Sequence, residues 1–124
     1  MKKVMILVTA IAFICPVLFV SGCANKTALY GQEGKEKNIT SIGNILADPA
    51  KFDGKIVKVK GKIVEECPSG CWFTLKDDSG TMYVNIHPNN FVIPQASGRT
   101  AAVEGKIEKK GPKTSLIGSG VEIG

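Results

Sequence analysis

Residues 55–66 (KIVKVKGKIVEE) alternate strictly, with Val57, Val59, Gly61 and Ile63 on one face and Lys58, Lys60 and Lys62 on the other. A period of two is that of a β-strand with one face on a core and one in water, and it excludes a helix over this stretch. Gly61, midway along, predicts a bulge or a sharp bend in a long, coiled strand. The alternation returns twice within a few residues. Cys71, Phe73 and Leu75 oppose Trp72, Thr74 and Lys76 as a second strand, and Met82, Val84 and Ile86 mark a third. Asp77-Asp78-Ser79-Gly80 between them is a strong turn. Two more strands are predicted over residues 100–109, broken by Gly105, and 114–123, with Gly111-Pro112 as their turn. Ahead of the strands, Thr40-Ser41 can cap a short helix over residues 42–47, which Asp48-Pro49 ends. A proline-bounded stretch, residues 88–94, carries Phe91, Val92 and Ile93 as a helical turn or loop plug.

The expectation is an all-β chain: a five-stranded OB-fold Greek-key barrel with a short N-terminal helix. Five strands, the first long and bent, with an interruption between the third and fourth, are the order of such a barrel. The stretch DPAKFDGKIVKVKGKIVE resembles the opening of small bacterial OB domains, and FTLKDDSGTMYVNI followed by SGRTAAVEGKI continues it. Gly70-Cys71-Trp72-Phe73 resembles the Gly-Cys-Trp segment of a secreted OB-domain family of largely uncharacterised function. OB barrels serve unrelated roles, so this resemblance implies a fold and not an activity.

The N-terminus sets the compartment. Met1-Lys2-Lys3 precedes an almost wholly apolar run from Val4 to Val20, the charged start and hydrophobic middle of a secretory signal. Val20-Ser21-Gly22-Cys23 resembles the lipobox of bacterial lipoproteins. That resemblance implies cleavage after residue 22 and lipid on the Cys23 sulfur. Residues 1–22 are then the signal peptide, residues 23–38 a lipidated polar tether, and residues 39–124 the OB-fold domain. Several acyl chains, at about 0.8 kcal/mol per buried methylene, hold such a chain to a membrane. The implied location is the cell envelope, outside the cytoplasm, on the periplasmic side of a membrane if the cell is Gram-negative. Loss of Lys2 and Lys3 leaves 14 basic against 11 acidic residues, a mild net charge of +3. So weak a charge argues against nucleic acid as the partner and leaves an envelope protein of unknown identity.

Cys15 leaves with the signal and Cys23 takes the lipid, so Cys67 and Cys71 remain, in a compartment where disulfides persist. If core positions face core positions across the second hairpin, Cys71 lies opposite Ile86, and His87 lies opposite Gly70 in the Cys67–Cys71 turn. Three readings stay open. A disulfide across so short a loop stabilises the fold by about 2 kcal/mol. A site for copper or zinc would take Cys67, Cys71 and His87 as thiolate and imidazole ligands. A redox pair lacks the Cys-x-x-Cys spacing of thioredoxin-like sites. Haem is disfavoured: FTLKDDSG and VEGKI are similar to the barrel of the periplasmic haem chaperones of cytochrome c maturation, but no histidine follows His87 here.

Trp72 and Tyr83 are expected on the outward face, and with Lys60 they form a candidate ligand face of the kind on which OB folds stack their ligands. An aromatic cross-strand pair also stabilises a sheet by up to about 1 kcal/mol without any ligand. No general acid/base pair, nucleophile elbow or phosphate loop is present, so the expectation is a binding or accessory module and not an enzyme.

Overall fold

The computed structural model describes residues 27–124, so Cys15, Cys23 and the export segment lie outside the described residues. The elements are β1 (Ala28–Gly31), α1 (Ile42–Ala47), α2 (Pro49–Phe52), β2 (Ile56–Glu66), β3 (Trp72–Lys76), β4 (Thr81–Asn85), a single 3-10 turn (His87–Asn89), β5 (Thr100–Lys110) and β6 (Lys113–Ile123). Strands β2 to β6 close a five-stranded barrel in the order β2-β3-β4-β6-β5, with β5 returning to β2. All barrel pairs run antiparallel except β4 with β6, which are parallel from Tyr83↔Ser115 to Asn85↔Ile117. The described residues are mostly β, with two short helices.

Alternation explains the barrel. Val57, Val59 and Ile63 of β2, Phe73 and Leu75 of β3, and Met82 and Val84 of β4 all point inward and are buried. Phe73 pairs with Val84 and Leu75 with Met82, the register expected from matching core positions. Gly61 serves a close approach rather than a bulge: a side chain there would run into the backbone of Lys76. The bulge comes three residues later, where the β2–β3 register shifts between Ile63 and Glu65. Likewise Gly105 does not break β5. The strand continues through it, with a register shift against β6 at Glu104/Gly105.

Helix α1 is built as its sequence suggests. Ser41 accepts from the Asn44 N–H at 3.3 Å. The Asp77 carboxylate takes the Ile42 N–H at 2.9 Å, and Ser79 Oγ takes the Gly43 N–H at 2.7 Å. The β3–β4 turn therefore caps the helix from outside, and Ile42 and Ile45 enter the core. Pro49 ends α1 but opens α2, because its missing N–H is harmless in a first turn.

The expected polar tether over residues 23–38 needs correction within its described part. Ala28–Gly31 forms a strand on β6, pairing Ala28 with Ile123 and Gly31 with Gly120. Tyr30 packs against the core from this strand. Farther on, the Glu104 carboxylate accepts the N–H groups of Lys35 and Glu36. Polar composition did not leave this stretch loose, because backbone hydrogen bonds to an open strand edge need no apolar side chains.

Candidate functional site

The segment between β2 and β3 is a tight turn fastened on both sides. Within it, the Cys67 N–H donates to the Trp72 carbonyl and the Gly70 N–H to the Cys67 carbonyl, both at 2.9 Å. Gly70 has φ +75°, and a side chain there would strike the Ile93 carbonyl, so glycine is needed for both conformation and space. From the other side, the Ile93 N–H donates to the Gly70 carbonyl at 3.1 Å, and the Gln95 amide donates to the carbonyls of Pro68 at 2.9 Å and Cys67 at 3.4 Å. The loop after β4, anchored by buried Ile93 and Ala96, thus clamps the turn. The Glu66 carboxylate completes the clamp by accepting from the N–H groups of Ala96 and Ser97.

This frame brings the two thiols together. Both are free and half-buried, and their sulfurs lie 3.0 Å apart. Ser69 Oγ sits 3.0 Å from the Cys67 sulfur and 3.8 Å from that of Cys71. The Ser69 hydroxyl, with help from Cys71, lowers the Cys67 thiol from an ordinary value of 9.0 to about 6. These contacts favour the thiolate form of Cys67. Sequence reasoning missed Ser69, although a hydroxyl residue between two cysteines of a tight turn was a readable signal.

His87 does not join them. It is exposed at the start of the 3-10 turn, and its N–H donates to Asn85 Oδ1 at 3.1 Å. The expected pairing holds up to the end of β4, since the Ile86 N–H donates to the Cys71 carbonyl at 3.1 Å. Beyond that bond the chain turns at Pro88, and Asn89 fastens the turn to β6 through the Gly118 carbonyl at 2.7 Å. Among the described residues no three His, Cys, Asp or Glu side chains are placed to hold one metal ion. The structure thus brings Cys67 and Cys71 together and leaves His87 apart from them.

The aromatic face forms without Lys60. Trp72 and Tyr83 meet with ring centroids 5.6 Å apart and planes tilted by 31°. The cation beside them is Lys113, whose Nζ lies 4.7 Å from the Tyr83 ring centre. Lys60 instead pairs with Ala102 on the β5 side of β2 and is exposed there. The parallel β4–β6 pair puts Lys113 near Tyr83, and no local pattern in the sequence signals such a long-range pairing. Burial raises the Tyr83 phenol, and negative charge on Cys71 and Cys67 adds to the shift, so the aromatic face and the cysteine turn share one electrostatic environment.

No family model matches the chain, and no curated protein matches it. Among solved structures it is similar to the hypothetical protein ygiW from E. coli, with TM-score 0.56 and 22% identity over 75% of this chain and 100% of that one. It is also similar to a putative aspartyl-tRNA synthetase from Leishmania major, with TM-score 0.55 and 14% identity over 74% of this chain but 21% of the other. Identities this low show the small barrel fold alone.

Proposed function

We propose that the chain is an exported, lipid-anchored OB-fold module that binds an envelope partner, with Cys67 and Cys71 joined as a disulfide that rigidifies the binding end of the barrel. The OB assignment is supported by the strand order and by the single parallel barrel pair, β4 with β6. The observation that carries the disulfide is the placement of two sulfurs 3.0 Å apart on a turn held by five backbone and side-chain hydrogen bonds. They need only close by about 1 Å to reach the ~2.05 Å of a disulfide bond. The partner surface in this reading is the rim carrying Trp72 and Tyr83, with Val92, 58% exposed, on the clamping loop.

Anchoring is supported by the lipobox at Val20-Ser21-Gly22-Cys23. In this reading the module has no nucleic-acid partner. The test is the mass and location of the protein made in a bacterial host. The expected product lacks residues 1–22, carries diacylglycerol at Cys23 and sediments with membranes. Cys23→Ser protein should stay unprocessed, and equal processing of both would overturn the anchor.

A further inference from the structure

We propose that Cys67 and Cys71 are a redox-active couple that exchanges with the disulfides and thiols of exported proteins, with Cys67 as the attacking sulfur and Cys71 as the resolving one. This deepens the disulfide reading above: the bond is exchangeable rather than permanently structural. Four features of the turn support it. The sulfurs are already in contact while both thiols are free, so oxidation and reduction need little backbone movement. The clamp from Ile93 and Gln95 acts on the backbone of Cys67, Pro68 and Gly70 and leaves both sulfurs uncommitted. Pro68 and Ser69 at the tip are exposed, which gives a second molecule access. Ser69 Oγ is closer to Cys67 than to Cys71, 3.0 against 3.8 Å, and a hydroxyl there stabilises a thiolate on Cys67 in preference.

Each exchange balances. The Cys67 thiolate attacks one sulfur of a substrate disulfide, forming a mixed disulfide and releasing the other substrate sulfur as a thiolate, which takes a proton from water. Cys71 loses its proton to water and attacks the Cys67 sulfur, closing Cys67–Cys71 and releasing the second substrate sulfur as a thiolate, which takes that proton up from water. Two electrons pass from the cysteine pair to the substrate disulfide. The reverse sequence oxidises a substrate dithiol and reduces the pair. Stabilising the thiolate stabilises the reduced form, which makes the oxidised pair a better oxidant than a structural disulfide. The pH behaviour of Cys67 is set by its contacts with Ser69 and Cys71, while the Glu66 carboxylate nearby is engaged by Ala96 and Ser97.

The test uses the full-length protein in detergent micelles, equilibrated with graded ratios of reduced to oxidised glutathione, quenched with acid and read by the mass added on alkylation. The expected result is a midpoint within the glutathione range. A pair that stays oxidised across that range and opens only in excess dithiothreitol would overturn the proposal, as would a pair that never oxidises. Roles are read separately with oxidised glutathione at neutral pH. Cys71→Ser should accumulate a mixed disulfide at Cys67 on the order of tenfold faster than Cys67→Ser does at Cys71, because thiolate fraction controls attack. Equal rates would overturn the assignment of roles. Both assays use purified protein, so their failure leaves export and anchoring standing, and a failure of export leaves the redox result standing.

Discussion

Ser69 and Asp77 show how single side chains decide what this fold can do. Removing the Ser69 hydroxyl takes away the largest cause of the low Cys67 pKa. Ser69→Ala should therefore slow iodoacetamide modification of reduced protein at pH 6.5 on the order of fivefold, since only the thiolate reacts. An unchanged rate would remove Ser69 from the account. The sign for stability follows from the same shift. Cys67 is a weaker proton binder folded than unfolded, so the reduced protein gains stability that is fully present above the ordinary value of 9.0 and is lost as pH falls toward about 6. Melting curves of the reduced protein should fall across that window, and those of the oxidised protein should not show this slope. Asp77 is a second case. Partial burial alone would raise its pKa, but the N–H of Ile42, the Ser79 hydroxyl and N–H, and the Gly80 N–H together lower it. Its contribution is present above the unfolded value near 3.9 and is lost as pH falls through the lower folded value. Asp77→Ala should cost about 1–2 kcal/mol in urea melts at pH 7, from the lost helix cap and turn bonds.

At the scale of elements, the barrel strands were readable because each buries one face, and a period of two survives in Val57, Val59 and Ile63 or in Phe73 and Leu75. Even the β3–β4 register followed from facing core positions. The misses have physical reasons. Strand β1 is four residues long, with only Tyr30 half-buried, so it carries no pattern. Pro49 read as a stop, yet it also starts α2. The alternation of β4 was carried through to His87, but the Ile86–Cys71 bond is the last of that ladder and Pro88 turns the chain away. The cysteine turn itself depends on an element remote in sequence, the loop holding Ile93 and Gln95. Gly70→Ala should therefore destabilise the protein by about 1–3 kcal/mol, through a strained positive φ and a clash with the Ile93 carbonyl, and slow closure of the disulfide. Wild-type stability and oxidation rate in that variant would contradict the clamp.

On the scale of the whole molecule, β1 changes how an anchored barrel would stand on a membrane. Ala28 pairs with Ile123, and next to that pair the Gly124 N–H donates to Thr100 and Arg99 Nε donates to the Gly124 carbonyl. From Arg99 the contacts run on through Gly98 to Ile63 and through Ala96 to Glu66, beside Cys67. The cysteine turn is thus at the barrel end where the chain enters. With lipid on Cys23, the five steps to Ala28 span at most about 18 Å. A nitroxide label at Ser97 should then be accessible to a headgroup relaxation probe in vesicles, while one at Lys110, at the other end of the eleven-residue β5, should not. Equal accessibility would show that the barrel does not stand this way up. The most direct measurement for the account as a whole is the intact mass of the protein taken from cells after acid quenching, alkylated with and without prior reduction. The prediction is a chain two hydrogens light that takes up two alkyl groups at Cys67 and Cys71 only after reduction, with His87→Ala behaving identically. A full-mass chain carrying one copper or zinc ion that His87→Ala loses would contradict it.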